Sequence, residues 1–233
     1  MAPQATGVLL TWKRLDNLER IAGGMLAEPA VRELIVWVNR SIRTTLDMRQ
    51  RILAAFPDRV CDIHVASHGT NLGTFGRYIA ASNASHPVIL TCDDDCHVRN
   101  WRDLLRRHLA TGRIAFNLDL GHYRNRQAYT HRFNGGTCYK GLVGWGAVFS
   151  RDHLAAFDRY LAKFGCDELL QSKADRLFTM LQAAEHEIVR VQVEHLPGAK
   201  DPAIAVYRQP GHWANVVRAR QRALEIMEDS AGP

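Results

Sequence analysis

Short apolar runs alternate with stretches of helical spacing from Gly7 to about Gly112, and this alternation constrains the fold more than any other feature of the chain. Gly7-Val8-Leu9-Leu10-Thr11-Trp12 and Leu34-Ile35-Val36-Trp37-Val38 are brief and almost unbroken, as suits strands buried on both faces. A third strand is expected near Val60 to Ala66, and a fourth at Val88-Ile89-Leu90-Thr91, which delivers the chain into Cys92-Asp93-Asp94-Asp95. Leu15, Leu18, Ile21, Ala22, Met25 and Leu26 follow helical spacing, and Pro29 ends that helix. Arg49 to Phe56 and Gly76 to Ala84 predict further helices, with a turn at Pro57-Asp58. Asn100, with Asp103 three residues on, predicts a capping box for a helix carrying Trp101, Leu104, Leu105 and Leu109, which Gly112 stops. Such alternation predicts an α/β layer fold with a mostly parallel sheet.

The pattern changes after about Arg113. Ile114 to Leu118 reads as a strand, but Gly121 to Gly146 is polar, aromatic and glycine-rich, and loops of that length in compact domains usually carry function. Ser150 is placed to cap a helix bearing Leu154, Phe157, Tyr160 and Leu161. A helix from about Lys173 to Ala184, a strand from Ile188 to Val193 and an amphipathic helix from Trp213 to Met227 complete the reading. No repeat or linker divides the 233 residues, so one domain is expected over 1–233: a first half over about 7–112 and a second over about 113–228.

Composition excludes several classes. A charged fraction of 23% and an apolar fraction of 46% match ordinary globular proteins. No run approaches the roughly 18 apolar residues of a membrane span. Met1-Ala2-Pro3-Gln4 lacks the basic region and apolar core of a signal peptide, so a cytoplasmic setting is expected. The cysteines Cys61, Cys92, Cys96, Cys138 and Cys166 are odd in number and form no C-x-x-C pair, which reads as free thiols. A zinc site from Cys92 and Cys96 would have to accommodate three intervening aspartates. The net charge of +6 invites a polyanion partner, but the surplus is spread along the chain and no nucleic-acid-binding motif accompanies it. No nucleic-acid partner is expected, and a phosphate-bearing small molecule would use the same bias.

The sharpest local feature is Asp93-Asp94-Asp95, directly after a buried strand. Adjacent carboxylates repel one another, and strand propensity gives no reason to collect them there. At the carboxyl edge of a parallel sheet, where ligands bind, they suit a hard divalent cation that also holds phosphate oxygens. The alternative is a solvated acidic turn or a helix cap.

Together with Thr11-Trp12-Lys13-Arg14 and Ile35-Val36-Trp37-Val38-Asn39, the acidic strand end resembles the GT-A glycosyltransferases, most closely the exostosin-like group with its Asp-x-Asp motif. The resemblance implies a GT-A fold: a nucleotide-binding sheet flanked by helices, with a smaller acceptor-side sheet. It also implies a UDP-sugar donor, Mn²⁺ or Mg²⁺ as cofactor, and a glycan, lipid, protein or small-molecule acceptor. Thr11, Arg14, Asn39, Asn71 and Arg77 fall where such enzymes hold the nucleotide. Asp93 would accept the ribose hydroxyls, Asp95 would ligate the metal with His212, and Asp94 would serve either role or orient water. Gly144-Trp145-Gly146 would form the acceptor wall. Asp175 is preferred as the acceptor-side catalytic carboxylate, with Asp167 and Glu168 competing for the place. Lys13 departs from the family's polar residue before the arginine, and the family's C-terminal acidic pair is not cleanly present.

The chemistry implied is transfer of a sugar to an acceptor hydroxyl, with retention of configuration favoured by the exostosin-like likeness. A sugar-nucleotide pyrophosphorylase would carry a glycine-rich loop after the first strand, which Thr11 to Arg14 lacks. A metal-dependent hydrolase drawing on His64 or His68, and a non-catalytic basic binding module, are the other readings.

Overall fold

The computed structural model describes residues 3–40, 42–56, 62–117, 130–133, 136–139, 142–182, 186–201 and 208–230. The helices are α1 (Leu18–Leu26), α2 (Ile42–Ala55), α3 (Gly76–Ser82), α4 (Trp101–Thr111), α5 (Ala156–Phe164), α6 (Glu168–Met180) and α7 (His212–Ser230). The strands are β1 (Ala5–Thr11), β2 (Val31–Val38), β3 (Asp62–Ala66), β4 (Val88–Asp93), β5 (Cys96–Val98), β6 (Ala115–Asn117), β7 (Thr130–Phe133), β8 (Gly136–Tyr139), β9 (Ala147–Ser150), β10 (Glu187–Val189) and β11 (Val193–His195).

Seven strands form one mixed sheet in the order β10-β6-β9-β4-β1-β2-β3. It is parallel except where β9 runs against both β4 and β6. Two antiparallel pairs, β5 with β11 and β7 with β8, lie outside it. Alternation along β1 and β2 explains the two apolar layers. Val8, Leu10, Ile35 and Trp37 pack with residues of α3, α5, α6 and α7, while Leu9, Leu34, Val36 and Val38 pack with α1, α2 and α4. Burial on both faces is why these strands read as unbroken apolar runs.

Several boundaries differ from expectation. Helix α2 begins at Ile42 rather than Arg49, and α6 at Glu168 rather than Lys173. Asp167 caps α6 by accepting a hydrogen bond from the Leu170 amide at 2.9 Å, so the start is set by a cap and not by the apolar spacing. The Asn100 capping box does not form: the Asn100 side chain donates to Asp103 Oδ2 at 2.7 Å instead of holding a backbone amide. Ser150 does form one, with His153 as the reciprocal partner. The strand expected over Ile188 to Val193 divides into β10 and β11, which join different sheets. The turn at Pro57-Asp58, the start of the third strand and most of the Gly121 to Gly146 segment lie outside the described residues.

The edge of the sheet opposite the acidic trio holds a buried carboxylate that the sequence did not single out. Glu33 accepts hydrogen bonds from Thr6 Oγ1 at 2.5 Å, the Ser85 amide at 2.8 Å and Ser85 Oγ at 2.9 Å. Burial would push its pKa up, but these donors outweigh burial and hold it below the usual value. Its charge therefore stabilises the fold above the unfolded-state pKa of about 4.3, and that contribution is lost as pH falls through the lower native value. Glu33→Gln should cost about 1–3 kcal/mol at pH 7 and flatten the acid limb of a urea-denaturation series. An unchanged acid limb would show that the network does not tie β1, β2 and the approach to β4 together.

Candidate active site

The order β3-β2-β1-β4 reverses direction at β1: the chain moves outward through β2 and β3, then returns through α3 to β4 on the other side of β1. In a parallel sheet, such a reversal opens a crevice beyond the carboxyl ends of the two strands. Leu10 pairs with Asp93 at that edge, so the Thr11 to Arg14 turn and the acidic trio emerge side by side.

The three aspartates have different surroundings. Asp94 is buried, and its carboxylate accepts from Thr11 Oγ1 at 2.9 Å, the Trp12 amide at 3.0 Å and Arg14 Nη1 at 2.8 Å. Its carbonyl accepts from Asn17 Nδ2 at 2.8 Å. Asp94 thereby fastens the end of β1 to the end of β4. Arg14 also places Nη2 3.2 Å from Asp95 Oδ2 and donates from Nε to the Gly198 carbonyl at 3.0 Å. Thr11 and Arg14, expected at the nucleotide, are thus drawn into the scaffold beneath the trio.

Asp93 and Asp95 are the more exposed pair of the trio, with side chains 36% and 16% exposed. Asp95 is raised to about 6 by burial and by the neighbouring charge of Asp93, which together exceed the help from Arg14. The Cys96 thiol donates to Asp95 Oδ1 at 3.1 Å, and burial pushes that thiol far up, so it stays protonated. Asp93 is 36% exposed and accepts from Arg77 Nη2 through Oδ1. Its Oδ2 faces Gly144, where an added Cβ would lie 2.1 Å away. Glycine at 144 is therefore demanded by the close approach of a carboxylate.

Arg77 links this pair to the second half of the chain. It is fully buried, and its Nε lies 3.2 Å from Asp175 Oδ1 while Nη2 holds Asp93. Burial alone would lower its pKa, but Asp175 and Asp93 outweigh burial and raise it. Tyr78, the next residue of α3, donates its hydroxyl to Asp175 Oδ1 at 2.8 Å. Burial lifts Asp175 to about 6 despite Arg77. A carboxyl tuned to that range and still 21% exposed is suited to accept a proton near neutral pH. Tyr78 escaped the sequence reading because nothing in its spacing separates it from an ordinary core aromatic.

The other expected residues divide between this cluster and the frame. Asn39 holds the neighbouring loop: its Oδ1 accepts from Trp37 Nε1 at 3.1 Å and the Leu72 amide at 3.2 Å, and its Nδ2 donates to the Gly73 carbonyl at 2.7 Å. Asn71 Oδ1 accepts from the Gly73 amide at 2.9 Å. Trp145 stands edge-on to His195, with ring centres 5.2 Å apart, and Gly146 takes φ +112°. Asp167 caps α6 and also accepts from Tyr160 and Arg222; burial would push its pKa up, but the Leu170 amide, Arg222 and Tyr160 together hold it low. Glu168 is exposed in the first turn of α6. Asp175, of these three acids, is the one joined to Asp93 through a shared arginine. His212 Nδ1 lies 3.1 Å from Lys173 Nζ. His64 approaches Glu33 at 3.6 Å, and His68 Nδ1 lies 3.4 Å from Thr70 Oγ1.

Among the described residues, no group of three or more His, Cys, Asp and Glu side chains is arranged to hold a metal by itself. Two carboxylates are still sufficient for Mg²⁺ or Mn²⁺, which draw their remaining ligands from water and substrate phosphates. The repulsion between Asp93 and Asp95 is what a cation would relieve, so the pair fits such an ion. Cys92 and Cys96 are buried beneath it as free thiols. A cleft of about 670 Å³ lined by Pro3, Gln4, Ala30 and Leu109 opens at the amino ends of β1 and β2, away from the trio.

No family model and no curated protein matches the chain. Solved structures do. One is similar over 99% of this chain and 74% of its own, with a TM-score of 0.58 and 16% identity: mannosyltransferase PcManGT from Pyrobaculum calidifontis in complex with GDP-Man and Mn²⁺. Another, S. aureus TarS 1-349, is similar over 96% of this chain and 70% of its own, with a TM-score of 0.52 and 10% identity. The chain has the mixed α/β fold of these proteins.

Proposed function

We propose that this chain is a glycosyltransferase that moves a sugar from a nucleoside diphosphate sugar, a UDP-sugar in our reading, to an acceptor hydroxyl. One observation carries the reading: Asp93 and Asp95 emerge at the sheet reversal, and buried Arg77 joins Asp93 to Asp175. The GDP-Man and Mn²⁺ held by the similar mannosyltransferase support a nucleotide-sugar donor and a divalent cation. The choice of uridine rests on the resemblance to exostosin-like enzymes.

Asp95 and Asp93 would hold Mn²⁺ or Mg²⁺, which supplies positive charge to the departing diphosphate. Arg77 fixes Asp93 through Oδ1 and leaves Oδ2 turned toward Gly144. Asp175 takes the proton from the acceptor hydroxyl, while Tyr78 fixes which oxygen is presented. Trp145, backed by His195, offers a ring to an apolar sugar face. A carboxyl poised as a base supports direct displacement with inversion, rather than the retention that the sequence resemblance favours. The anomeric configuration of the product, read by NMR, decides between them.

Calorimetry and thermal denaturation with UDP and MnCl₂ test the assignment. The wild type is expected to bind UDP with Mn²⁺ and melt at a higher temperature, whereas Asp95→Asn loses the Mn²⁺-dependent part. Metal-free Asp95→Asn should be at least as stable as the wild type at pH 7.5. The sign follows because a carboxyl raised to about 6 is disfavoured in its ionised form by the native fold. UDP binding that is indifferent to both Mn²⁺ and this substitution sinks the reading.

A further inference from the structure

The cleft at the amino end of the sheet takes no part in the proposed reaction. Its volume of about 670 Å³ falls within the range of small-molecule sites. Strand β1 runs from this end to Thr11, which holds Asp94, so roughly 20 Å of strand separates the cleft from the acidic trio. Helix α4 forms one wall, where Arg102, Leu105, Arg106 and Leu109 recur at the spacing that shares one helix face. Leu105 is buried in the core layer, whereas Leu109 is 45% exposed, so the stripe carries apolar surface out to water. Pro29 and Ala30, in the turn from α1 to β2, continue the apolar lining.

Arg32 joins Arg102 and Arg106 in the same lining, and a backbone irregularity puts it there. Ala5 of β1 pairs with Val31 of β2, but Thr6 pairs with Glu33, which leaves Arg32 as an extra residue without a partner on β1. A bulge of this kind re-aims a side chain. Arg32 is exposed, while every other residue of β2 is buried. The acids nearby do not match the three arginines. Glu28, the one acid of the lining, comes no closer than 3.8 Å to Arg102 and also accepts from the Ala30 amide at 3.4 Å. Arg106 meets Asp103, which is not part of the lining, at 3.2 Å. The cleft thus combines an apolar floor with a surplus of guanidinium groups.

We propose that this cleft binds a small organic anion with an apolar body, of the class of medium-chain carboxylates. The apolar body lies on Leu109 and Pro29, and the charged head meets the guanidinium forks of Arg32 and Arg106, whose planar donors match a carboxylate. Both halves of the ligand are needed. An extended polyanion would engage the arginines and leave the apolar floor wet, and a neutral apolar ligand would fill the floor and leave the forks unused. The site stands apart from the glycosyltransferase reading, and neither depends on the other.

Calorimetry on the full chain with octanoate, octanol and acetate as probes separates the apolar body from the charge. The wild type should bind octanoate at least about tenfold more tightly than octanol or acetate, equivalent to about 1.4 kcal/mol. Arg32→Gln should weaken octanoate about fivefold and leave octanol unchanged, and Arg32→Lys should recover part of that loss. Leu109→Gln should weaken octanoate and octanol alike. Both positions are exposed, so the variants should fold, and thermal melts confirm it. Octanoate binding that is absent, no tighter than that of octanol, or untouched by both substitutions overturns the proposal. Displacement of octanoate by UDP with Mn²⁺ would place it at the other end of the sheet and overturn the proposal as well. Octanoate held through Arg32, with no binding of UDP, leaves this site standing and removes the nucleotide-sugar reading.

Discussion

Arg77→Met is expected to destabilise the protein by about 3–5 kcal/mol, the cost of removing one partner from a buried ion pair. The arginine is fully buried between Asp93 and Asp175, and no solvent reaches its site to replace the lost charge. The two carboxylates do not contribute equally. Asp93 is 36% exposed and water screens much of its charge, whereas Asp175 at 21% is more confined. Most of the cost should therefore come from Asp175. Adding Asp175→Asn to Arg77→Met should recover more stability than adding Asp93→Asn, because it removes the more confined orphan charge. Urea denaturation of the three variants checks both the size and the order. A total stability of roughly 5–15 kcal/mol for a domain makes the single variant marginal. A loss below about 1 kcal/mol would place it within the range of exposed ion pairs and show that the link is dispensable.

Asp175→Asn carries the largest expected effect on activity, a fall in kcat of about 10²–10⁴ if the carboxylate is the base. Asparagine is close in shape and can still accept from Tyr78, so the fold should survive. The pH dependence distinguishes a base from a prop. The wild type should lose activity as pH falls through about 6, the value to which burial lifts Asp175. The residual activity of the variant should lack that limb. Stability runs the other way. A native carboxyl raised above its unfolded value of about 3.9 binds its proton more tightly in the folded state. This group therefore favours folding increasingly as pH falls from about 6 towards 4, and the substitution removes that trend. An enzyme that keeps its wild-type kcat after Asp175→Asn has its base elsewhere.

The sheet was legible because its chemistry is local. Strands β1, β2 and β4 are buried on both faces, and burial on both faces selects unbroken apolar runs. Helix starts were less legible where side-chain caps decide them. Asp167 caps α6, which begins at Glu168 rather than Lys173, and Asn100 turns to Asp103 rather than to the backbone. Strand β9 runs antiparallel between β4 and β6, and its pairing with β4 spans more than fifty residues, which no local pattern encodes.

The candidate site followed the same division. Asp93-Asp94-Asp95 stood out because three adjacent carboxylates have no local reason to collect at the end of a strand. The sequence by itself determined that acids leave a buried parallel strand at an edge where ligands bind. Only the tertiary structure separated them, turning Asp94 inward to three donors and leaving Asp93 and Asp95 more exposed. Only the tertiary structure joins Asp175, rather than Asp167, to Asp93, by placing Arg77 between Asp93 and Asp175 while Arg222 pairs with Asp167. The reason is physical: residue type fixes what charge a side chain can carry, but burial and the nearest opposite charge fix whether that charge holds the frame or faces a substrate.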